Sequence, residues 1–320
     1  MTLRRTPRLI QRHVADSAAD RAEIAAGLMR QPAQAAPKYL YDRLGSHLFE
    51  AITELPEYYP TRTEAAILAT HGAEIAACIG TGATLIDLGA GTCVKAARLF
   101  PLLEPQRYVA VDISVDFLHD ALKGVQREHP QLDVIGLGQD FSTRLDLPDD
   151  LVVGHAVYFY PGSSIGNFSP TEALAFLTRI RARGTDGGLL IGVDLVKDAA
   201  ILEAAYADAL GVTSAFNLNI LRQLNRLIGS DFRPEQWRHV GLYNAADSRV
   251  EMHLEAREDV NVRWPGAERT FRAGERLHTE NSCKYTVEGF TALLQAAGFA
   301  APRHWTDERG YFAVFWAPAA

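Results

Sequence analysis

The side chains and turns best suited to chemistry fall at the ends of apolar runs. In IDLGAGTCVK, residues 86–95, a β-rich run enters a glycine turn and then a helical segment, a place where open α/β sheets bind ligands beyond a strand's carboxyl end. Gly89 and Gly91 let the backbone come close to such a ligand. A dinucleotide fingerprint needs a third glycine where Val94 stands, which disfavours a nicotinamide or flavin reading. Asp112 closes the next run, where a carboxylate can accept both hydroxyls of a ribose, a placement that suits any nucleoside. Asp140 and Phe141 follow a third run and can respectively accept from an adenine amino group and pack on its ring. Singly, these residues have ordinary explanations as turn glycine, helix cap or core aromatic. At successive strand ends they point to one nucleoside site.

A second cluster precedes the first. PKYLYDRLGSHLFEAITELPEYYPTRTEAAIL, residues 37–68, carries Tyr39, Tyr41, Phe49, Tyr58 and Tyr59. Aromatic residues at this density build either core or a ligand surface, and composition does not choose between them.

The elements that must position these residues follow from periodicity. ATLIDLG (83–89), YVAVDIS (108–114), LDVIGLG (132–138), HAVYFYPG (155–162) and GLLIGVDLV (188–196) read as five strands. The segments between them carry helix-period apolar residues, and Ser169-Pro170 opens one as a cap followed by proline. The expected fold is α/β, a doubly wound parallel sheet. After Val196 a long helical region gives way to alternating strand patterns that cannot continue that sheet. The helix VEGFTALLQAAGF and the runs APRHWTD and GYFAVFWA then read as its antiparallel finish. We expect residues 61–196 plus 286–320 to form the nucleoside-binding domain, and 1–60 plus 197–285 a smaller α+β substrate domain.

Composition narrows the partners. The 320 residues carry a net charge of −7 with no basic cluster able to neutralise several phosphates, which argues against nucleic acid. Three cysteines without close spacing suggest neither a disulfide framework nor a zinc cluster, and the ten histidines form no evident metal set. No signal-like or bilayer-spanning apolar run is present, so a cytoplasmic protein acting on small molecules, away from membranes, is expected.

The GAG turn, Asp112, the Asp140-Phe141 pair and the LLQAAGF helix together resemble the class I S-adenosylmethionine methyltransferases, whose sheet has seven strands with the last reversed. The Asn/Asp-Pro-Pro-Tyr-type motif of many nucleobase and protein-amide methyltransferases is absent, its place reading YPGSSIGN. More narrowly, PEYYPTRTE, LGAGTCVK, GSSIGNFSP, DLVKDAAILEAAYADALGVTSAFNLNILRQLNR, EMHLEA and TENSCKY resemble the histidine N-α-methyltransferases of ergothioneine biosynthesis, over nearly the whole chain from residue 37. That resemblance implies S-adenosylmethionine held by Gly89, Gly91, Lys95, Asp112, Asp140 and Phe141, and a free amino acid, L-histidine, bound between the two domains. It implies Tyr58 and Asn167 at the substrate carboxylate, and Tyr41, Phe49 and Gly162 around the α-amino group. Glu280 and Ser282 would hold the imidazole nitrogens with Met252 packed nearby, a carboxylate on a ring N–H selecting histidine over apolar aromatics. Two departures stand out: Ser163 and Ser164 replace an expected glycine and threonine, and Leu40 an expected aromatic. The competing readings are the same chemistry on tryptophan or tyrosine, a silent adenosyl-binding protein, and a dehydrogenase.

Overall fold

A computed structural model describes residues 5–12, 18–142, 145, 147–183 and 186–319. Its contacts divide the chain into two units, one of Met1–His13, Pro60–Val196 and Lys284–Ala320, the other of Val14–Tyr59 and Lys197–Cys283.

The first unit is built on one sheet of eight strands: Arg8–Gln11 (β1), Thr84–Leu88 (β2), Arg107–Asp112 (β3), Asp133–Gly138 (β4), Ala156–Tyr160 (β5), Gly188–Asp194 (β6), Arg303–Thr306 (β7) and Phe312–Pro318 (β8). Their order is β1-β4-β3-β2-β5-β6-β8-β7. Strands β1 to β6 run parallel to one another, while β8 runs antiparallel to both β6 and β7. The central strands are buried along their whole length because helices cover both faces. On one face Leu85, Tyr108 and Ala110 join Ile67, Leu118 and Leu122 from the helices Pro60–Ile79 and Val115–Glu128. On the other, Ile86, Val109 and Val111 join Phe176, Leu177, Phe290 and Leu294 from Pro170–Arg183 and Val287–Ala296. The former of these helices starts as expected at Ser169, in a capping box: Ser169 N–H and Oγ both reach Glu172 Oε2, at 2.9 and 2.6 Å.

The doubly wound sheet and its reversed last strand match the sequence reading, with one addition. Residues 8–11, expected in the smaller domain, add an eighth strand along the open edge of β4. The backbone ladder supplies the reason, Arg8 to Gln11 pairing in register with Ile135 to Gly138.

The second unit packs helices against a four-stranded sheet ordered Ala33–Gln34, Arg276–Cys283, Arg249–Ala256, Trp237–Asn244, with a separate hairpin, Val260–Trp264 and Ala267–Phe271. Its longest helix, Val212–Ile228, buries Phe216, Ile220, Leu221 and Leu224. Asp208 accepts the N–H groups of Val212 and Thr213 at 2.9 and 2.8 Å, satisfying donors that a helix start leaves open.

Candidate active site

In the first unit the chain leaves β2 through Gly89, Ala90 and Gly91. Gly91 has φ +51°, and a Cβ built there would meet nothing within 4 Å, so the turn presents bare backbone to an open side. Asp112, at the end of β3, fixes that turn: Oδ2 accepts the Gly91 N–H and Oδ1 the Ser114 N–H, both at 2.9 Å. An ionised carboxylate has about four lone-pair sites, so these backbone bonds leave acceptor capacity for a ribose hydroxyl. Burial raises the Asp112 carboxyl above its ordinary range, and the N–H bonds from Ser114, Gly91 and Ile113 oppose the rise. Phe141 is half-buried and puts its ring edge 3.6 Å from where a Gly89 Cβ would stand. Asp140 Oδ1 accepts from the backbone N–H and hydroxyl of Ser142 at 3.0 and 2.5 Å, a turn that orients the Asp-Phe pair. Below the turn, burial pushes the Asp87 carboxyl up to about 7, against a 2.7 Å bond from the Tyr108 hydroxyl. A glycine turn with an open side, a ribose-type acid and an aromatic edge fit an adenosyl group.

Glu64, in the PTRTE stretch, is a buried carboxylate to which the sequence reading gave no role. Its Oε2 accepts from Lys95 Nζ and its Oε1 from the Gly162 N–H, each at 2.8 Å. Gly162 has φ +76°, and a Cβ on it would stand 2.9 Å from Lys95 Nζ. The backbone angle favours glycine here, and the lysine end lies close above it. Lys95, expected among the cofactor ligands, is thus tied to the loop after β5 that also carries Asn167. The two departing serines hold the same loop. Ser163 Oγ accepts the Asp194 N–H at 2.8 Å, and Ser164 Oγ donates to the Pro161 carbonyl at 3.1 Å. The Asp194 carboxylate in turn pairs with Lys284 at 2.8 Å, both side chains being buried. Asn167 ends the short turn Ser164–Asn167 and is half-buried.

In the second unit the aromatic block sorts itself into two kinds. Tyr41 and Phe49 meet edge to face at 5.6 Å, Tyr41 and Phe216 at 5.4 Å, and Phe49 and Tyr58 at 6.1 Å, and Tyr58 continues to Tyr206 at 6.4 Å. Phe49 is placed by the helix Arg43–Thr53. Asp42 caps that helix, its Oδ1 accepting from Gly45 N–H at 2.8 Å and from Asn219 Nδ2 at 2.7 Å. The other two aromatics are used elsewhere: Tyr39 bonds to Asp20 and Glu23, and the Tyr59 hydroxyl accepts from Lys197 at 2.7 Å. Leu40 is fully buried in the core.

Met252 and Glu280 face each other as Cα partners across the smaller sheet, with Ser282 two residues beyond Glu280 on the same face. All three are buried. The Tyr206 hydroxyl donates to Ser282 Oγ at 2.7 Å, and Gly241, paired with Met252, lets the Tyr206 backbone lie across the sheet. Tyr206 and Phe216 were missed from sequence, although both lie in the quoted stretch 194–226.

The sequence model of the family described as "Histidine-specific methyltransferase, SAM-dependent" matches residues 20–319. The chain is 40% identical over 310 residues to the histidine N-alpha-methyltransferase of Mycolicibacterium smegmatis, covering 94% of this chain and 95% of that protein. It is 39% identical over 302 residues to the protein of the same name from Mycobacterium tuberculosis, covering 92% and 93%. It is also 33% identical over 290 residues to ergothioneine biosynthesis protein 1 of Neurospora crassa, covering 88% of this chain and 32% of that protein.

Proposed function

The chain belongs to the S-adenosylmethionine-dependent, histidine-specific methyltransferases, and from that premise we propose that it methylates the α-amino group of free L-histidine, three times in succession, for ergothioneine biosynthesis. The observation that carries the choice of acceptor is the shared face of Glu280, Ser282 and Met252. A neutral imidazole has one N–H donor and one bare nitrogen. Glu280 accepts from the first. Ser282, whose oxygen already receives the Tyr206 hydroxyl, is turned to donate to the second. Tryptophan and tyrosine offer no bare ring nitrogen for that donor.

Gly89, Gly91, Lys95, Asp112, Asp140 and Phe141 hold the cofactor, which supplies an electrophilic methyl group on a sulfonium. Tyr58 and Asn167 donate to the substrate carboxylate without cancelling its charge. Tyr41, Phe49 and Gly162 surround the α-amino nitrogen. That nitrogen must present a lone pair, so the site selects the neutral amine. As the nitrogen gains charge, the faces of Tyr41 and Phe49 stabilise it by about 0.5–2 kcal/mol. Tyr41 orients the amine. Most of the acceleration comes from alignment of the two reactants.

Glu280→Ala tests the reading through the ratio of kcat/KM for histidine to that for tryptophan. We expect that ratio to fall at least tenfold, roughly 1.4 kcal/mol of discrimination. A variant with the wild-type ratio would contradict the assignment of Glu280.

A further inference from the structure

The strand that carries Glu280 and Ser282 changes register in its middle. From Arg276 to His278 it opposes Glu255 to His253, and from Glu280 to Cys283 it opposes Met252 to Arg249. Thr279 is the extra residue, a β-bulge. Because side chains alternate with period two, one inserted residue exchanges the faces of everything beyond it. Before the bulge His278 lies beside His253, ring centroids 5.1 Å apart, and Arg276 bonds to Glu255 at 2.8 Å. After it, Asn281 takes over that face and meets His278 at 2.9 Å, while Glu280 and Ser282 turn to the opposite face with Met252. An unbulged strand would set Glu280 directly opposite Glu251, a like-charge pair, and would turn Ser282 away from Tyr206.

Thr279 itself is fully buried, and its hydroxyl donates to the Met252 carbonyl at 3.0 Å. The bulge residue is thus bonded to the residue that opposes Glu280. We propose that Thr279 is a positioning residue for acceptor selectivity, its hydroxyl locking the bulge in the register that keeps Glu280, Ser282 and Met252 on one face. The proposal rests on the imidazole pocket assigned above.

Thr279→Val keeps the branched shape and removes the donor, Thr279→Ala removes both, and Thr279→Ser keeps the hydroxyl. Steady-state kinetics on the full chain, with histidine and with tryptophan, read the effect. For Thr279→Val we expect a roughly tenfold higher KM for histidine and a similar fall in histidine-over-tryptophan kcat/KM, the size of one buried hydrogen bond. The KM for S-adenosylmethionine should not move, and Thr279→Ser should behave as wild type. Wild-type selectivity in Thr279→Val, or an equal loss on both amino acids, would overturn the proposal. So would failure of both hydroxyl-free variants to fold, since the hydroxyl would then serve stability alone. Wild-type protein that leaves histidine unmethylated would overturn the pocket assignment as well, and is distinguished because it appears before any variant is made.

Discussion

Glu64 links four pieces of chain through one carboxylate: its own helix Pro60–Ile79, Lys95 after the Gly89–Gly91 turn, the Gly162 backbone after β5, and β6, where a Cβ on Gly192 would collide with it. Glutamine can still accept the Gly162 N–H but leaves Lys95 without its counter-charge, whereas alanine removes both contacts. We expect kcat/KM for S-adenosylmethionine to fall about tenfold in Glu64→Gln and roughly a hundredfold in Glu64→Ala, measured at saturating histidine. Equal kinetics for the two variants would mean that only one of the contacts matters. Residues of this kind are hard to see in sequence. Gly89, Gly91 and Asp112 were legible because a strand-turn-helix pattern demands particular types at particular places. Glu64 reads as one more glutamate on a helix, and only the fold brings it to a backbone N–H 98 residues away. Tyr206 and Phe216 were hidden similarly, since an aromatic at helical spacing reads first as core.

Among the elements, the loop after β5 takes its shape from tertiary partners. Ser163 adopts φ +59°, an uncommon angle for a residue with a side chain, and its hydroxyl receives the Asp194 N–H. The Asp194–Lys284 pair lies behind that contact, in an interior where a lone charge is costly. Lys284→Met should therefore destabilise the protein by about 3–5 kcal/mol, visible as a lower denaturation midpoint. A midpoint within error of wild type would show that the pair is dispensable. The five parallel strands and the antiparallel finish were readable because buried parallel strands are almost wholly apolar. The first strand, RLIQ, was not, being four residues long, half polar and mostly exposed. Nor was the bulge at Thr279, because a register shift is decided by the partner strand.

For the molecule as a whole, one contact boundary falls after Val196, where the rhythm of the sequence changes. Composition gave an expectation only, that a net charge of −7 without a basic cluster argues against nucleic acid. The positive statement came from motifs, and from a resemblance that the family comparison bears out. The most direct test of the account is to incubate the purified chain with S-adenosylmethionine and a pool of the common free amino acids, and to weigh the products by mass spectrometry. The account predicts three added methyl groups on histidine and none on the others. Methylation of a different amino acid, with histidine left untouched, would contradict it.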